Sequence, residues 1–418
     1  MGGAVRDTLM GRMLHDRDYV VCGMTDALFH VLFPQARAAG KSFPVYLLKI
    51  DGAVCEVAFA RHERKSGKGY KGFVVTCAPD ITIEEDLYRR DTTINSMAID
   101  ENGVLIDPYG GERDLKLGVI RAVSEHFRED PVRALRAARQ SAQFGFSIER
   151  GTVEMMSMCA DELRDEPRER KFAELKKALE SDHPSQYFRA MLDAGLLEQE
   201  YPHIFALIGK TQLPDVHPEG DAFVHTMMTV DDAVKMTKRV EVRFAVLMHD
   251  IGKSRTPAEL LPRHEGHGPR GAEIMKEVAD SMCVPRLWYK CAECAAREHM
   301  RPRKMRTPEK IRDLVRTLEH EPLRADGLAV VVGADNHGEV PAFLLEYDGL
   351  LAAFKKVAEQ GVPADIKGAE IGKYLRAREI EAAENYLREH PLRDKVMLSD
   401  LQPIARFKDI QYNCTDKK

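Results

Sequence analysis

Gly2-Gly3-Ala4-Val5-Arg6-Asp7, followed by His15-Asp16-Arg17-Asp18, is the stretch on which the reading of this chain turns. On a strand, residues i and i+2 point to the same face, so Asp16 and Asp18 would aim two carboxylates at one spot while Arg17 points away. Paired hard oxygen ligands suit Mg²⁺, which takes one or two protein carboxylates and fills its shell with substrate phosphates. The glycines let backbone N–H groups approach a phosphate closely. Asp-x-Asp alone is a weak signal, and the glycine turn just upstream strengthens it.

Three further stretches extend this reading. Val54-Cys55-Glu56-Val57-Ala58-Phe59 reads as a strand in which Glu56 shares a face with Val54 and Ala58. A buried carboxylate needs a partner. The sequence offers two, a salt bridge to Arg61 or a place beside Asp16 and Asp18 as a third acidic residue in a two-metal phosphoryl-transfer site. Downstream, Arg89 and Arg90 lie within Asp86-Leu87-Tyr88-Arg89-Arg90-Asp91-Thr92-Thr93-Ile94-Asn95. Adjacent arginines are commonly a solvated face. Flanked here by acids and an apolar helix start, they are expected to line a site for triphosphate and ribose. Glu129-Asp130-Pro131-Val132-Arg133, with Arg136 and Arg139 at i+3 intervals, marks the start of a helix with an arginine-bearing face.

The chain has 418 residues, 44% of them hydrophobic and 31% charged, which describes an ordinary globular protein of about two to four domains. No apolar run approaches a membrane span and no signal peptide opens the chain. The eight cysteines lack paired spacing, which suits a reducing cytoplasm. Cys291-x-x-Cys294 stands alone and reads as two helix residues. A net charge of −5 counts only weakly against nucleic-acid binding, because a local basic face suffices for RNA.

Up to about Val123 the pattern is mixed α/β, with strands expected at 19–22, 45–48 and 54–59. From Asp130 onward helical spacing dominates. Residues 209–220, with Pro214 and Pro218, read as a linker. A second helical unit follows, then one or two charged helices over 364–390.

Taken together, Gly2-Gly3-Ala4-Val5-Arg6-Asp7, Asp16-x-Asp18, Glu63-Arg64-Lys65-Ser66-Gly67, Arg89-Arg90-Asp91 with Asn95, Asp107-Pro108-Tyr109-Gly110-Gly111 and Glu129-Asp130-x-x-Arg133 resemble the bacterial class II tRNA nucleotidyltransferases, the CCA-adding enzymes. The motifs occur in that family's order over about the first 150 residues. Weaker similarity runs through Arg168-Glu169-Arg170 and Gly195-Leu196-Leu197.

The resemblance implies an α+β chain. A polymerase-β-like nucleotidyltransferase head with a mixed sheet would occupy 1–123, and an all-α neck and body 124–208. It assigns Asp16 and Asp18 to Mg²⁺, and Arg89, Arg90 and Asp91 to the sugar and phosphates of the incoming nucleotide. Gly3, Arg6, Asn95 and Arg136 join the nucleotide-binding set, and Asp130 and Arg133 template the base. CTP, ATP and tRNA are the implied substrates. Arg168, Arg170, Lys171, Lys176 and Lys177 are candidates for tRNA phosphates or, equally, a solvated face.

Hydrogen-bond chemistry supports the templating role. Cytosine and adenine each present an amino donor beside a ring-nitrogen acceptor. Asp only accepts and Arg only donates, so one such pair satisfies both bases and rejects guanine and uracil. The Glu63-to-Gly72 segment resembles a flexible loop of complete CCA enzymes.

The sequence departs from the family pattern in two places. Family members carry a short apolar strand before the glycines, so the head sheet is expected to lack or replace it. Gln140 stands where an aromatic is usual, which is expected to alter packing of the neck helix.

A second constellation comprises His225, Val246-Leu247-Met248-His249-Asp250-Ile251-Gly252-Lys253 and Asp335. A lone histidine on an apolar helix is ordinarily a core residue. Imidazoles and carboxylates together bind divalent transition metals. These residues resemble the HD phosphohydrolase superfamily, as do His217-Pro218-Glu219-Gly220-Asp221 and His264-Glu265-Gly266-His267-Gly268.

That likeness implies an all-α HD domain over 209–355, followed by a helical tail over 356–418. It implies a metal held by His225, His249, Asp250 and Asp335, with His264, His267 and His299 as outer partners. The implied activity is a phosphatase or 2′,3′-cyclic phosphodiesterase. Alternatives are a poly(A) polymerase or A-adding enzyme sharing the head, and an HD hydrolase or RNA-binding protein with an inactive head. A cytoplasmic protein without a membrane partner is expected, and both monomer and homodimer are compatible with the sequence.

Overall fold

The computed structural model describes residues 1–14, 17–39, 45–67, 72–391 and 395–397. The chain divides into two compact units, Met1–Pro202 and His203–Lys418.

The first unit opens with a short helix, Gly3–Leu9, whose N-terminal Gly2 takes φ +63°, a conformation suited to glycine. A Cβ at Gly2 would also meet Arg90 Nη1 at 3.0 Å. A mixed sheet follows, made of β1 (Asp18–Val21), β2 (Arg37–Ala38), β3 (Val45–Ile50) and β4 (Ala53–Phe59) in the order β1-β4-β3-β2. β1 runs parallel to β4, and the other pairs are antiparallel. The Met1 amine donates to Asp18 O of the edge strand β1 at 2.7 Å.

The helix Asp26–Leu32, capped by the Thr25 hydroxyl, covers one face of the sheet. Phe29, Tyr46, Leu48, Val57 and Phe59 form the core there. Period-two alternation thus buries Cys55, Val57 and Phe59. Val54 and Glu56 lie on the open face, which corrects the premise that Glu56 is buried. Its exposure is the arrangement a ligand-facing carboxylate needs.

A hairpin of Arg61–Lys65 and Phe73–Cys77 and the helix Ile83–Tyr88, closed by a Thr82/Glu85 capping box, complete the wall above the sheet. The hairpin flanks the expected loop, of which residues 68–71 lie outside the described residues. The helix Val132–Phe144 starts where the Asp-Pro signal places it and stops at Gly145 in the left-handed region. It packs against the helices Arg168–Glu180 and Pro184–Asp193.

The second unit is predominantly helical. The helix Val240–Met248 is buried from Val242 to Met248, as a central helix must be, and its one buried charge, Arg243, donates from Nε to Thr237 O at 3.0 Å. It packs on Arg286–Glu298, whose Cys291 and Cys294 are buried free thiols, as the helix reading expects. Ala222–Met236, His267–Met282 and Arg324–Asp335 surround this core.

Residues 209–220 are not a free linker. Asp221 accepts from the N–H groups of Gly209, Phe223 and Val224, and Gln212 N donates to Gly220 O at 2.9 Å. Here glycine and proline make turns that fold the segment back onto the unit. The charged C-terminal stretch forms one helix, Ala369–Glu389, whose buried Glu379 receives Arg312 and Arg316. Among the described residues, no helix is long and apolar enough to cross a membrane.

Candidate active sites

In the first unit, strand register brings two carboxylates together. Asp18 pairs directly with Glu56 across β1 and β4, so both side chains leave the same face of the sheet. Asp16 lies outside the described residues. Asp18 and Glu56 line a cavity of about 290 Å³ together with Arg61, Asp86, Arg89 and Arg90. A second cavity, of about 540 Å³, is lined by Asp91, Asp130, Arg133, Arg136 and Arg170. Arg61, Arg89 and Arg90 line both cavities, so a basic wall joins a carboxylate end to an Asp/Arg end.

That wall is held from behind. Asp86, 1% exposed, accepts from Arg89 Nη2 at 2.6 Å and Arg90 Nη2 at 3.3 Å. Burial alone would raise its pKa, but Arg89 and Arg90 outweigh burial and hold the carboxyl below its usual range. Glu63 receives Arg89 Nη1 at 2.9 Å and Arg61 Nε at 2.8 Å. Sequence reasoning gave Asp86 no role, although its i−3 and i−4 spacing from the two arginines was a usable signal.

Asp91 is the hub of the neck. It accepts from Thr92 N, Asn95 Nδ2, Arg136 Nε at 2.8 Å and Gln140 Nε2 at 3.2 Å. Burial opposes its charge, yet Arg136 holds its pKa far below the ordinary value, and the pair raises that of Arg136. Gln140 is fully buried and also receives the Thr92 hydroxyl at 2.7 Å, so a polar hydrogen-bonded residue fills the place expected of an aromatic.

Arg6 donates to Asn95 Oδ1 at 2.5 Å and lies over the Phe144 ring at 4.6 Å. Gly3, Arg6 and Asn95 line neither cavity; Arg6 and Asn95 form a buried chain ending on Asp91. At the far end, Arg133 Nη1 donates to His126 O at 2.6 Å. Asp130 is met by Arg170 Nη2 at 3.1 Å. Arg170 therefore belongs to this cavity, while Lys171 pairs with Glu200 at 3.0 Å and Lys176 with Glu180 within its own helix. Lys177 lines a third depression with Arg12 and Arg139.

The second unit gathers His225, His249, Asp250 and Asp335, all buried, with ligand atoms within 4.8 Å of one another. His225 Nε2 lies 3.1 Å from Asp335 Oδ1, and His249 Nε2 lies 3.3 Å from Asp250 Oδ2. Donors about 2.0–2.2 Å from a common ion stand roughly this far apart. A second triad, Asp250, His267 and His299, shares Asp250, and a third comprises His217, Glu219 and His225.

The imidazoles are oriented from behind. Nδ1 of His225 meets Glu219, that of His249 meets Val246 O at 2.6 Å, and that of His267 meets His264 O at 2.7 Å. Nε2 is thereby left to face the carboxylates, the arrangement seen behind metal-binding histidines. His249 Nε2 and Asp250 Oδ1 are buried without a hydrogen-bond partner. Burial alone would lower the His249 pKa, but Asp250 and Asp335 outweigh it and raise it to about 10, so the cluster calls for positive charge. Burial keeps His217 and His267 down at about 4, neutral as ligation requires. These donors fit a divalent ion.

Lys253 Nζ stands 2.5 Å from Asp250 Oδ2, and Arg303 Nη2 stands 2.8 Å from Asp335 Oδ2. Nothing in the sequence marked Arg303. Gly252 has its own reason, since a Cβ there would lie 1.9 Å from His267 O and force apart the two segments that assemble the cluster.

Family models match segments of both units. Residues 1–121 match the family described as the poly A polymerase head domain, 145–208 the probable RNA and SrmB-binding site of polymerase A, and 222–325 the HD domain. The multifunctional CCA protein of Acinetobacter baumannii (strain AYE) is 38% identical over 405 residues, covering 93% of this chain and 97% of that protein. That of Laribacter hongkongensis is 42% identical over 345 residues, or 81% and 84% of the two chains.

Among solved structures, a CCA-adding enzyme in complex with ATP shares the fold with TM-score 0.59 at 23% identity, covering 93% of this chain and 88% of that one. The Bacillus stearothermophilus CCA-adding enzyme in complex with CTP gives 0.52 at 23% identity, covering 92% and 88%. A polymerase head, a helical body and an HD cluster in one chain, with relatives matched nearly end to end, place it among the multifunctional CCA proteins, the CCA tRNA nucleotidyltransferases that carry an HD domain.

Proposed function

We propose that the chain adds CCA to tRNA 3′ ends from CTP and ATP, without a nucleic-acid template. The carrying observation is the pair of adjoining cavities that share Arg61, Arg89 and Arg90. In this reading Asp16, Asp18 and Glu56 hold Mg²⁺, which supplies charge neutralisation for in-line phosphoryl transfer. Arg89 and Arg90 grip the triphosphate, and Asp130 with Arg133 reads the amino-donor, ring-acceptor edge that cytosine and adenine share. Arg136 lines the same cavity. Asp91 lines it too and holds Arg136 in position, with Asn95 and Arg6 behind Asp91. A tRNA-directed activity also supports a cytoplasmic location.

The test is extension of tRNA transcripts ending before CCA, after C and after CC, with Mg²⁺ and CTP, ATP or both. Addition of C, C, A and then a stop is expected. A long A ladder would indicate a poly(A) polymerase, A on the CC end alone an A-adder, and no growth an inactive head.

The second unit is proposed as a metal-dependent phosphohydrolase acting on phosphomonoesters and 2′,3′-cyclic phosphates. His225, His249, Asp250 and Asp335 would hold one divalent ion, and Asp250 with His267 and His299 could share a second. Such an ion supplies Lewis-acid activation of the phosphoester. His249→Ala is expected to abolish cyclic-phosphate hydrolysis and spare CMP incorporation. Loss of both activities would refute two independent sites.

A further inference from the structure

Beside the HD cluster lies a cavity of about 520 Å³, within the range of about 300–1,000 Å³ usual for ligand pockets. Its lining includes Arg303, Arg306, Asn336, Val340, Phe343 and Lys395. Arg303 ties the cavity to the cluster, because its Nη2 donates to Asp335 Oδ2 at 2.8 Å. Val340 and Phe343 supply apolar wall and Asn336 an amide, the mixture a nucleobase requires.

The cations are not all internally satisfied. Lys395 pairs with Glu339 at 2.8 Å. Arg303 Nε is buried without a hydrogen-bond partner. Arg306 is exposed and makes no ion pair among the described residues. An exposed guanidinium at Arg306 and an unsatisfied Nε at Arg303, in a pocket with apolar walls, match phosphate oxygens flanking a nucleoside.

We propose that this cavity seats the terminal nucleoside of an RNA 3′ end whose 2′,3′-phosphate is presented to the HD cluster. Arg303 turns toward the reacting phosphate, and Arg306 binds the next phosphate on the 5′ side. The HD unit would then prefer a nucleotide that carries a second phosphate, as every RNA end does, over a bare cyclic nucleoside phosphate. The proposal rests on the phosphohydrolase reading above and deepens it.

The test uses the full-length protein, wild type and Arg306→Glu. Arg306 is exposed and makes no ion pair among the described residues, so its reversal leaves the fold intact, which a thermal melt of the variant beside wild type checks. Hydrolysis of adenosine 2′,3′-cyclic phosphate is compared with and without a 5′-phosphate, and bis(p-nitrophenyl) phosphate serves as a substrate without a nucleoside. In wild type the 5′-phosphate is expected to lower KM about tenfold, roughly the worth of one charge-assisted contact. Arg306→Glu should erase that preference and affect the nucleotide at least tenfold more than the nitrophenyl ester.

Calorimetric titration of adenosine 3′,5′-bisphosphate into metal-stripped protein gives a readout without catalysis, and one binding site should weaken about tenfold in the variant. If bis(p-nitrophenyl) phosphate is not hydrolysed, the phosphohydrolase reading fails while the titration still decides the cavity. If it is hydrolysed, equal 5′-phosphate preference in both proteins or unchanged bisphosphate affinity overturns the proposal.

Discussion

Asp86→Asn is the sharpest probe of the head, because a neutral isostere removes charge and keeps shape. Asp86 is 1% exposed and meets Arg89 and Arg90 together. Removing one partner from a buried ion pair costs about 3–5 kcal/mol, since the other charge is left uncompensated. Arg89 retains Glu63 at 2.9 Å and Arg61 O at 3.2 Å, whereas Arg90 has no other carboxylate within ion-pair distance among the described residues. The loss should therefore fall near the lower end, about 3 kcal/mol, and be felt at Arg90.

Urea unfolding of wild type and variant side by side reads the stability, and the KM for CTP in CMP incorporation reads the wall. An increase in KM of about tenfold is expected, with the KM for tRNA unchanged. The pH dependence has a definite sign. The folded pKa of Asp86 lies below its unfolded value of about 3.9, so its stabilisation is fully present above about pH 5 and disappears as pH falls through the folded pKa. Equal stability at pH 7 together with an unchanged KM for CTP would refute the buried clamp.

Three further outcomes follow from particular contacts. Asp130→Ala should relax base choice, because the acceptor for the amino group is gone; unchanged selectivity in a four-NTP incorporation assay would remove its templating role. Gly252→Ala, with its Cβ 1.9 Å from His267 O, should abolish metal-dependent phosphoester hydrolysis and leave CMP incorporation within about twofold, measured on one preparation. Gln140→Leu strands the Thr92 hydroxyl and withdraws a donor from Asp91, an expected loss of about 2–4 kcal/mol in chemical denaturation. A melt equal to wild type would show that those groups find other partners.

Much of the chain was legible from local pattern. The strands around Tyr19, Val45 and Val57, the helix after Asp130-Pro131, and the buried Cys291 and Cys294 follow from period, capping and turn chemistry, all encoded within a few residues. Glu56 was assigned the right neighbourhood for the wrong reason. Alternation alone cannot say which of two faces is covered, and the Asp26–Leu32 helix covers the one carrying Val57 and Phe59. The 209–220 segment misled in the opposite sense, because glycine and proline mark a turn without saying whether it closes on the fold. Arg170 read equally as a contact to tRNA phosphate or part of a solvated face, and only the packing of its helix brings it to Asp130.

By itself the sequence determined the chemistry available to each unit. It supplied an acidic pair after a glycine turn, an arginine pair, an Asp/Arg pair three residues apart at a helix start, and a His-Asp dyad with distant His and Asp. Those depend on residue type and short spacing. Tertiary structure alone decided which groups face each other. It set Asp18 against Glu56 through strand register, placed Asp86 behind Arg89 and Arg90, gave Gln140 to Asp91, and brought Arg303 to Asp335 across 32 residues. Such pairings are settled by strand register and helix packing, in which distant segments bury one another's surfaces.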